Sequence, residues 1–403
     1  MSALYETMPA CGPGIKLTRP LELVSFALVV AHVVYLVASA VDGLWVVASD
    51  GTGNPSDFVN VWAAGRLALA GDPAAAYDWL THKHFEELAV GHAFDGYFDW
   101  PYPPTFFFVA AVLALLPYAV AYPVWVFGTF PLYLVAVRAI IGERVGYLLA
   151  AAFPAVLSNF VIGQNGFLTA GLIGGTLALL ERQPVVAGAL LGLLTVKPHL
   201  GLLFPIALAA SGRWRAFAAA AAVTTALIAA SFVAFGSASW QAFFGGLGRA
   251  ADSYLTHDLA DWSKLQTAFG LVRTLGGGEM LAWSAQIAIA VAAAAAVAVL
   301  WRSRAAYELK AAGLGVGAML ATPYLFVYDL TVLAVPLAFL FRFHGARGLS
   351  SRELFAVAAV CLLILMFPFV KLPLGFIAVL IVAALVARQA LAQSGATWRQ
   401  SIA

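Results

Sequence analysis

Twelve apolar runs recur along this 403-residue chain, some with the roughly 20 residues that cross a hydrocarbon core and others shorter, as broken or short helices allow. They fall at 20–42, 119–140, 145–162, 165–181, 184–196, 199–211, 213–235, 281–301, 306–321, 325–341, 353–369 and 373–391. A further run, 103–117, is shorter and bounded by "YPPT" and "LPY". Prolines on both sides break such an element, so it reads as a re-entrant half-helix. Only 10% of the residues are charged, against roughly 25% in a soluble domain, and hydrophobic residues make up 63%. The sequence therefore predicts an all-α polytopic membrane protein with about 12 transmembrane helices, the half-helix and helical outer loops, in a single integral-membrane domain. A net charge of +2 is too small for a nucleic-acid partner. Cys11 and Cys361 imply neither a disulfide nor thiol chemistry, and the first run, lacking a small-residue cleavage site, is expected to be retained.

Cytoplasmic loops carry the excess of Lys and Arg. With tail 1–19 inside and the spans alternating, 15 of the 22 basic residues fall inside and 7 outside. The outer seven are Arg66, Lys83, Lys197, Arg249, Lys264, Arg273 and Lys371. A full crossing at 103–117 would turn every later basic cluster outward. The outer face then collects the two long polar stretches, 43–104 and 236–280, and the motifs "NPSDF", "GDPAAAYD", "DWPYPP", "GQNG", "VKPH" and "TPYLFVYD". The inner face keeps plain basic turns such as "GRWR".

Several motifs have both a structural and a chemical reading. Asp57 opens a helix in "NPSDFVNVWAAGRLAL", where it is either an N-cap or a carboxylate able to take a proton from a hydroxyl. Arg66, nine residues on, lies on the opposite helix face and suits a loop bridge or a lipid headgroup. "GDPAAAYD" reads as a turn with Asp72 capping and Pro73 first in the helix. His82, His84, Glu86 and His92 in "THKHFEELAVGHAF" lack the HExxH spacing, so a solvated amphipathic helix along the membrane is preferred over a metal site. In "DWPYPPT", Asp99, Trp100 and Tyr102 either join the interfacial aromatic belt or frame a substrate.

Gln164 and Asn165 interrupt apolar runs at a tight turn, and Lys197 and His199 do so two spans later. A lysine at mid-bilayer costs about 2.5–3.5 kcal/mol, and intramembrane ionisable groups usually mark function. Lys197 at the outer edge suits a lipid phosphate, with snorkelling the alternative. His199 either assists there or caps the next helix. Asp329 beside Tyr328 needs a partner, Lys197 or Arg249, and is an acid/base group, a sugar ligand or half of an ion pair. The 236–280 segment, with Trp240, Asp258, Asp261 and Trp262, is expected to form a second outer helix pair whose aromatics are candidates for selecting an acceptor.

In order and spacing, "SDFVNVWAAGRLALAGDPAAAYD", "YPPTFFFVAAVLALLPYAVAYPVW", "GQNGFLTAGLIGGTLAL", "AGALLGLLTVKPHLGLLFPIALAASGRWRA" and "TPYLFVYDLTVLAVP" resemble glycosyltransferase family 87 over about residues 50–340. These are GT-C membrane enzymes that include polyprenol-phosphate-mannose-dependent α-mannosyltransferases. The resemblance implies a GT-C fold whose catalytic Asp, in the first extracytoplasmic loop, maps at Asp57. It maps the family's "GQ" and "KP" pairs at Gln164 and at Lys197–Pro198. Tyr328 and Asp329 stand where mannosyl-lipid users often carry His.

The implied function is transfer of a hexose, with mannose the leading reading, from a polyprenyl-monophosphate sugar to a hydroxyl of a glycolipid or glycan. Lys197, His199 and Arg66 would meet the donor phosphate, and Tyr102, Gln164, Asn165, Tyr328 and Asp329 the sugars. The lipid sugar is a co-substrate, and no cofactor or metal is called for. The expected setting is a bacterial inner membrane with the site facing outward, the protein a monomer or dimer among lipids. A flippase or transporter, which usually shows polar paths and repeats, and a polysaccharide polymerase or ligase are the alternatives.

Overall fold

A computed structural model of the chain describes residues 19–251, 261–345 and 348–400, with 249–251 and 394–400 described by backbone alone. Cys11, Lys16, Asp258 and Arg347, and the side chains of Arg249 and Arg399, lie outside the described residues.

Among the described residues, seventeen α-helices account for most of the structure. After α1 (Arg19–Val41) come two outer helices, α2 (Phe58–Leu69) and α3 (Trp79–Val90), and the short α4 (Phe107–Leu113). The bundle follows: α5 (Tyr118–Ile141), α6 (Val145–Ala152), α7 (Ala155–Ile162), α8 (Gly166–Leu179), α9 (Pro184–Leu193), α10 (Phe204–Ala210) and α11 (Trp214–Ala251), which bends at Gly236. Then come α12 (Ala268–Thr274), α13 (Glu279–Arg302), α14 (Tyr307–Ala321), α15 (Ala334–His344), α16 (Ser351–Met366) and α17 (Leu374–Gln400). The described residues contain isolated bridges, Val47–Gly53 and Leu265–Phe326, but no strands. The chain is an all-α, multi-pass membrane protein.

Among the described residues, seven helices have the length and apolarity of a span, or eight with the α6–α7 pair, which bends by 63°. The other four expected spans are the shorter helices at 166–179, 184–196, 198–210 and 307–321. For two of them the brevity has a physical basis. Those at 166–179 and 307–321 lie mostly buried inside the bundle, where protein rather than lipid surrounds them and short helices are tolerated, whereas 184–196 and 198–210 keep exposed apolar side chains such as Val185, Leu193 and Leu202. Helix α8, for example, is buried almost all round and packs on α5 and α9.

The break between α6 and α7 shows how the cost is met. Pro154 has no N–H to donate to Ala150, and the carbonyls of Ala150 and Ala151 instead accept from Tyr133 Oη (3.0 Å) and His32 Nδ1 (3.2 Å). At the far end of α7, Tyr122 Oη and Trp45 Nε1 donate to the Phe160 carbonyl.

Contacts sort the helix termini into two ends. At one, Arg213 at the start of α11 reaches Leu180 and Glu181 after α8, and Arg342 of α15 reaches Ile140 of α5. At the other, Tyr118 at the start of α5 donates to the Asn54 carbonyl (2.8 Å), next to the start of α2. Residues 103–117 leave this second end and return to it, bracketed by Tyr102 and Tyr118, with α4 packed against α2. The outer helices differ from expectation in one respect. His82 and Glu86 on α3 are buried against α2 rather than solvated, and His82 bridges the Ala76 and Asn60 carbonyls. Trp100 is likewise buried, stacked on Phe106 at 5.6 Å, and is not a belt residue.

Candidate active site

At the second end a cavity of about 590 Å³ opens between the outer helices and the bundle. Asp57 stands in its wall at the N-terminus of α2. Phe58, fully buried against Tyr118 and Tyr122, pins that helix start. Asp57 occupies the N-cap position in helical geometry, and its side chain makes no capping hydrogen bond. The cap reading is thereby replaced: the carboxylate faces the cavity and Gln164.

"GQNG" folds as it does for steric reasons. Gly163 ends α7 with φ 75°, and a Cβ there would lie 2.7 Å from the Tyr122 ring. Gly166 starts α8 so close to the Tyr328 carbonyl that a Cβ would stand 2.4 Å from its oxygen. Gln164 and Asn165 are thus held at the cavity end by backbone. The Gln164 Oε1 accepts from Tyr102 Oη (2.8 Å) and the Asn165 N–H (3.2 Å), which turns its Nε2 toward Asp57 Oδ2 at 3.4 Å.

Lys197 sits at an interruption between two 3-10 turns, Leu194–Val196 and Pro198–Gly201, where proline prevents a continuous helix. Its buried ammonium donates to Asn165 Oδ1 at 3.0 Å and Asp329 Oδ1 at 2.5 Å, and stands 4.8 Å from the Tyr328 ring centre. The other oxygen of Asp329 accepts from the Phe326 N–H at 3.1 Å. Of the two partners considered for Asp329, the structure shows Lys197.

Six of the nine expected site residues line the cavity: Asp57, Tyr102, Gln164, Lys197, His199 and Tyr328. Asn165 and Asp329 stand behind Lys197. Arg66 does not belong to the site: it is exposed at the end of α2, 5.6 Å from the Trp62 ring centre, because nine residues carry it half a turn away from Asp57. Further lining residues were not singled out from sequence, among them Asn60, Lys264, Phe243 and Tyr324. Asn60 is three residues from Asp57, so helical spacing alone could have found it. Lys264 carries no local signal.

Burial pushes the Asp57 carboxyl up to about 6, against the Gln164 amide and the positive charges of Lys264 and Lys197, which pull it down. A carboxylate in that range can take a proton near neutral pH.

Residues 100–323 match glycosyltransferase family 87, more than half of the chain. The protein belongs to this family. No curated protein and no solved structure matches it. The family stretch carries Tyr102, Gln164, Asn165, Lys197 and His199, while Asp57 precedes it and Asp329 follows it. The chain is therefore a membrane glycosyltransferase.

Proposed function

We propose that the protein moves a hexose, mannose first among the candidates, from a polyprenyl-monophosphate sugar to a hydroxyl of a glycolipid or glycan. The observation that carries this reading is Asp57, a half-buried carboxylate that makes no capping hydrogen bond and faces a cavity with two lysines in its wall. A cavity of 590 Å³ lies in the range that holds small-molecule ligands.

In this reading the acceptor hydroxyl gives its proton to Asp57 and attacks C1 of the sugar. The C1–O bond to the phosphate breaks as the new C1–O bond forms, and polyprenyl phosphate leaves with the bonding electron pair. Base assistance of this kind contributes typically 10²–10⁴-fold, about 3–5 kcal/mol of barrier. The donor phosphate lies at the wall of Lys197 and His199, whose buried Nε2 has no hydrogen-bond partner among the described residues. Tyr102, Gln164 and Tyr328 meet sugar hydroxyls. Asn165 and Asp329 act one layer back, by holding Lys197. The GT-C architecture, the extracytoplasmic site and the bacterial inner membrane belong to the same proposal, and the basic inner turns support the orientation.

The test is sugar transfer in membranes with a labelled polyprenyl-phosphate sugar panel, comparing wild type with Asp57→Asn. One donor should give product, and the variant should lose at least 10²-fold while inserting normally. Full activity of Asp57→Asn, or no donor consumed, would sink the reading.

A further inference from the structure

The lysine that sequence singled out is already neutralised. Lys197 has its ammonium on Asp329 at 2.5 Å and on Asn165 at 3.0 Å, so the pair presents almost no net charge to the cavity. The other charged residues in the cavity wall are two carboxylates, Asp57 and Asp99, and one lysine, Lys264. An anionic ligand is repelled from the carboxylate side and needs a cation that is not spent. Among the described residues, the Lys264 ammonium makes no ion pair or hydrogen bond.

The turn that carries Lys264 is held rigidly. Asp261, at φ 54°, accepts from the Ser263 N–H (3.1 Å) and Oγ (2.8 Å). Gln266 is fully buried; its N–H donates to the Leu325 carbonyl, and its side-chain nitrogen donates to the Ser263 and Lys264 carbonyls. The Gly375 N–H donates to Gln266 Oε1 at 2.7 Å. The Leu265–Phe326 bridge thus fixes Lys264 to the same backbone whose Phe326 N–H holds Asp329. Lys264 is itself exposed at the cavity wall, and a backbone fixed at this many points on both sides sets where its side chain starts. Of the two lysines, Lys264 also acts more strongly on Asp57.

We infer that Lys264 supplies the net positive charge that binds the phosphate of a lipid phosphomonoester, while Lys197 is a neutralised pair member that gives hydrogen bonds. This rests on the lipid-donor reading above. It assigns the charge that the leaving phosphate needs to a residue 67 positions beyond the "KP" pair.

The experiment is equilibrium binding of undecaprenyl phosphate to the full chain in phosphatidylcholine nanodiscs, with undecaprenol and inorganic phosphate as controls. Lys264→Gln should weaken undecaprenyl phosphate at least tenfold and leave undecaprenol unchanged. Lys264→Arg should restore most of the affinity. The paired change Lys197→Met with Asp329→Leu should cost less than Lys264→Gln. Equal affinity in wild type and Lys264→Gln would overturn the assignment, as would a wild type that binds undecaprenol or inorganic phosphate as tightly as undecaprenyl phosphate. Transfer measured in the same nanodiscs separates the two readings. Lys264-dependent binding without any sugar transfer sinks only the donor reading. Transfer and lipid-phosphate binding that are both indifferent to Lys264→Gln sink only the lysine assignment.

Discussion

At the end of the bundle away from the cavity, Arg213 pairs with Glu181 at 3.2 Å, Arg342 with Glu308 at 3.3 Å and Arg388 with Glu353 at 3.0 Å. At least one partner in each pair is substantially exposed, and Arg213 and Arg342 also donate to helix-terminal carbonyls. At the cavity end, Lys197 and Asp329 lie 2.5 Å apart with 4% and 0% of their side chains exposed. The first kind of pair fastens helix ends and leaves at least one of its charges in water, where such a pair is worth about 0–1 kcal/mol. The second has surrendered its hydration, and each member depends on the other. Among the described residues, an ion pair with both side chains buried occurs only at the end with the cavity.

Four measurements break or sharpen this contrast, beginning with the largest expected effect. Asp329→Asn should cost about 3–5 kcal/mol in denaturation of the purified protein, because Lys197 is left as an uncompensated buried charge. Lys197→Met combined with Asp329→Leu should recover most of that loss; a single-variant cost under about 1 kcal/mol would put the two ends in one class.

Transfer should fall about tenfold for each pH unit below about 6. Asp57 works as a base only when deprotonated, and burial raises its pKa to that value, so acid removes the active form. A pH–rate profile flat from 7 to 5 would exclude Asp57 as the base.

Glu86, buried on α3, has its carboxyl pushed up to about 8 by desolvation, above the 4.5 of the free side chain. The folded form holds its proton more tightly than the unfolded chain. The resulting stabilisation is complete below about 4.5 and is lost as pH rises through about 8. Between pH 7 and 9 the outer helices should lose about 1.4 kcal/mol, read by hydrogen exchange at the Phe98 amide, and Glu86→Gln should abolish the dependence. Last, Arg342→Ala should cost less than about 1 kcal/mol and leave transfer unchanged.

The bundle was legible because apolar runs and helix-breaking turns are local properties of sequence. Gln164, Lys197 and Asp329 stood out for a similar reason: each polar group interrupts hydrocarbon-length runs, and the structure brings Gln164 and Lys197 to one cavity wall with Asp329 behind the lysine. Their pairing was only partly legible, since Lys197 and Asp329 are 132 residues apart and Arg249 fitted the same pattern. Lys264 was not legible at all. It sits in a polar loop with aromatic and acidic neighbours, like any solvated lysine, and only the Leu265–Phe326 bridge carries it to the site. The reading of α3 failed for a related reason. Its charged and imidazole residues match a solvated face, and the packing of α2 that buries His82 and Glu86 is tertiary.

The pairing of Lys197 with Asp329 has a consequence for dissecting the protein. The stretch that matches the family, 100–323, contains the lysine but neither its counter-ion nor Asp57. A fragment trimmed to those bounds would inherit a buried cation without its carboxylate partner and a cavity without the carboxylate at position 57. In the proposed reading, the stretch that identifies the family and the carboxylate that takes the proton are thus in different parts of the chain. Domain-swapped chimaeras within the family will have to exchange the two flanks together with the middle.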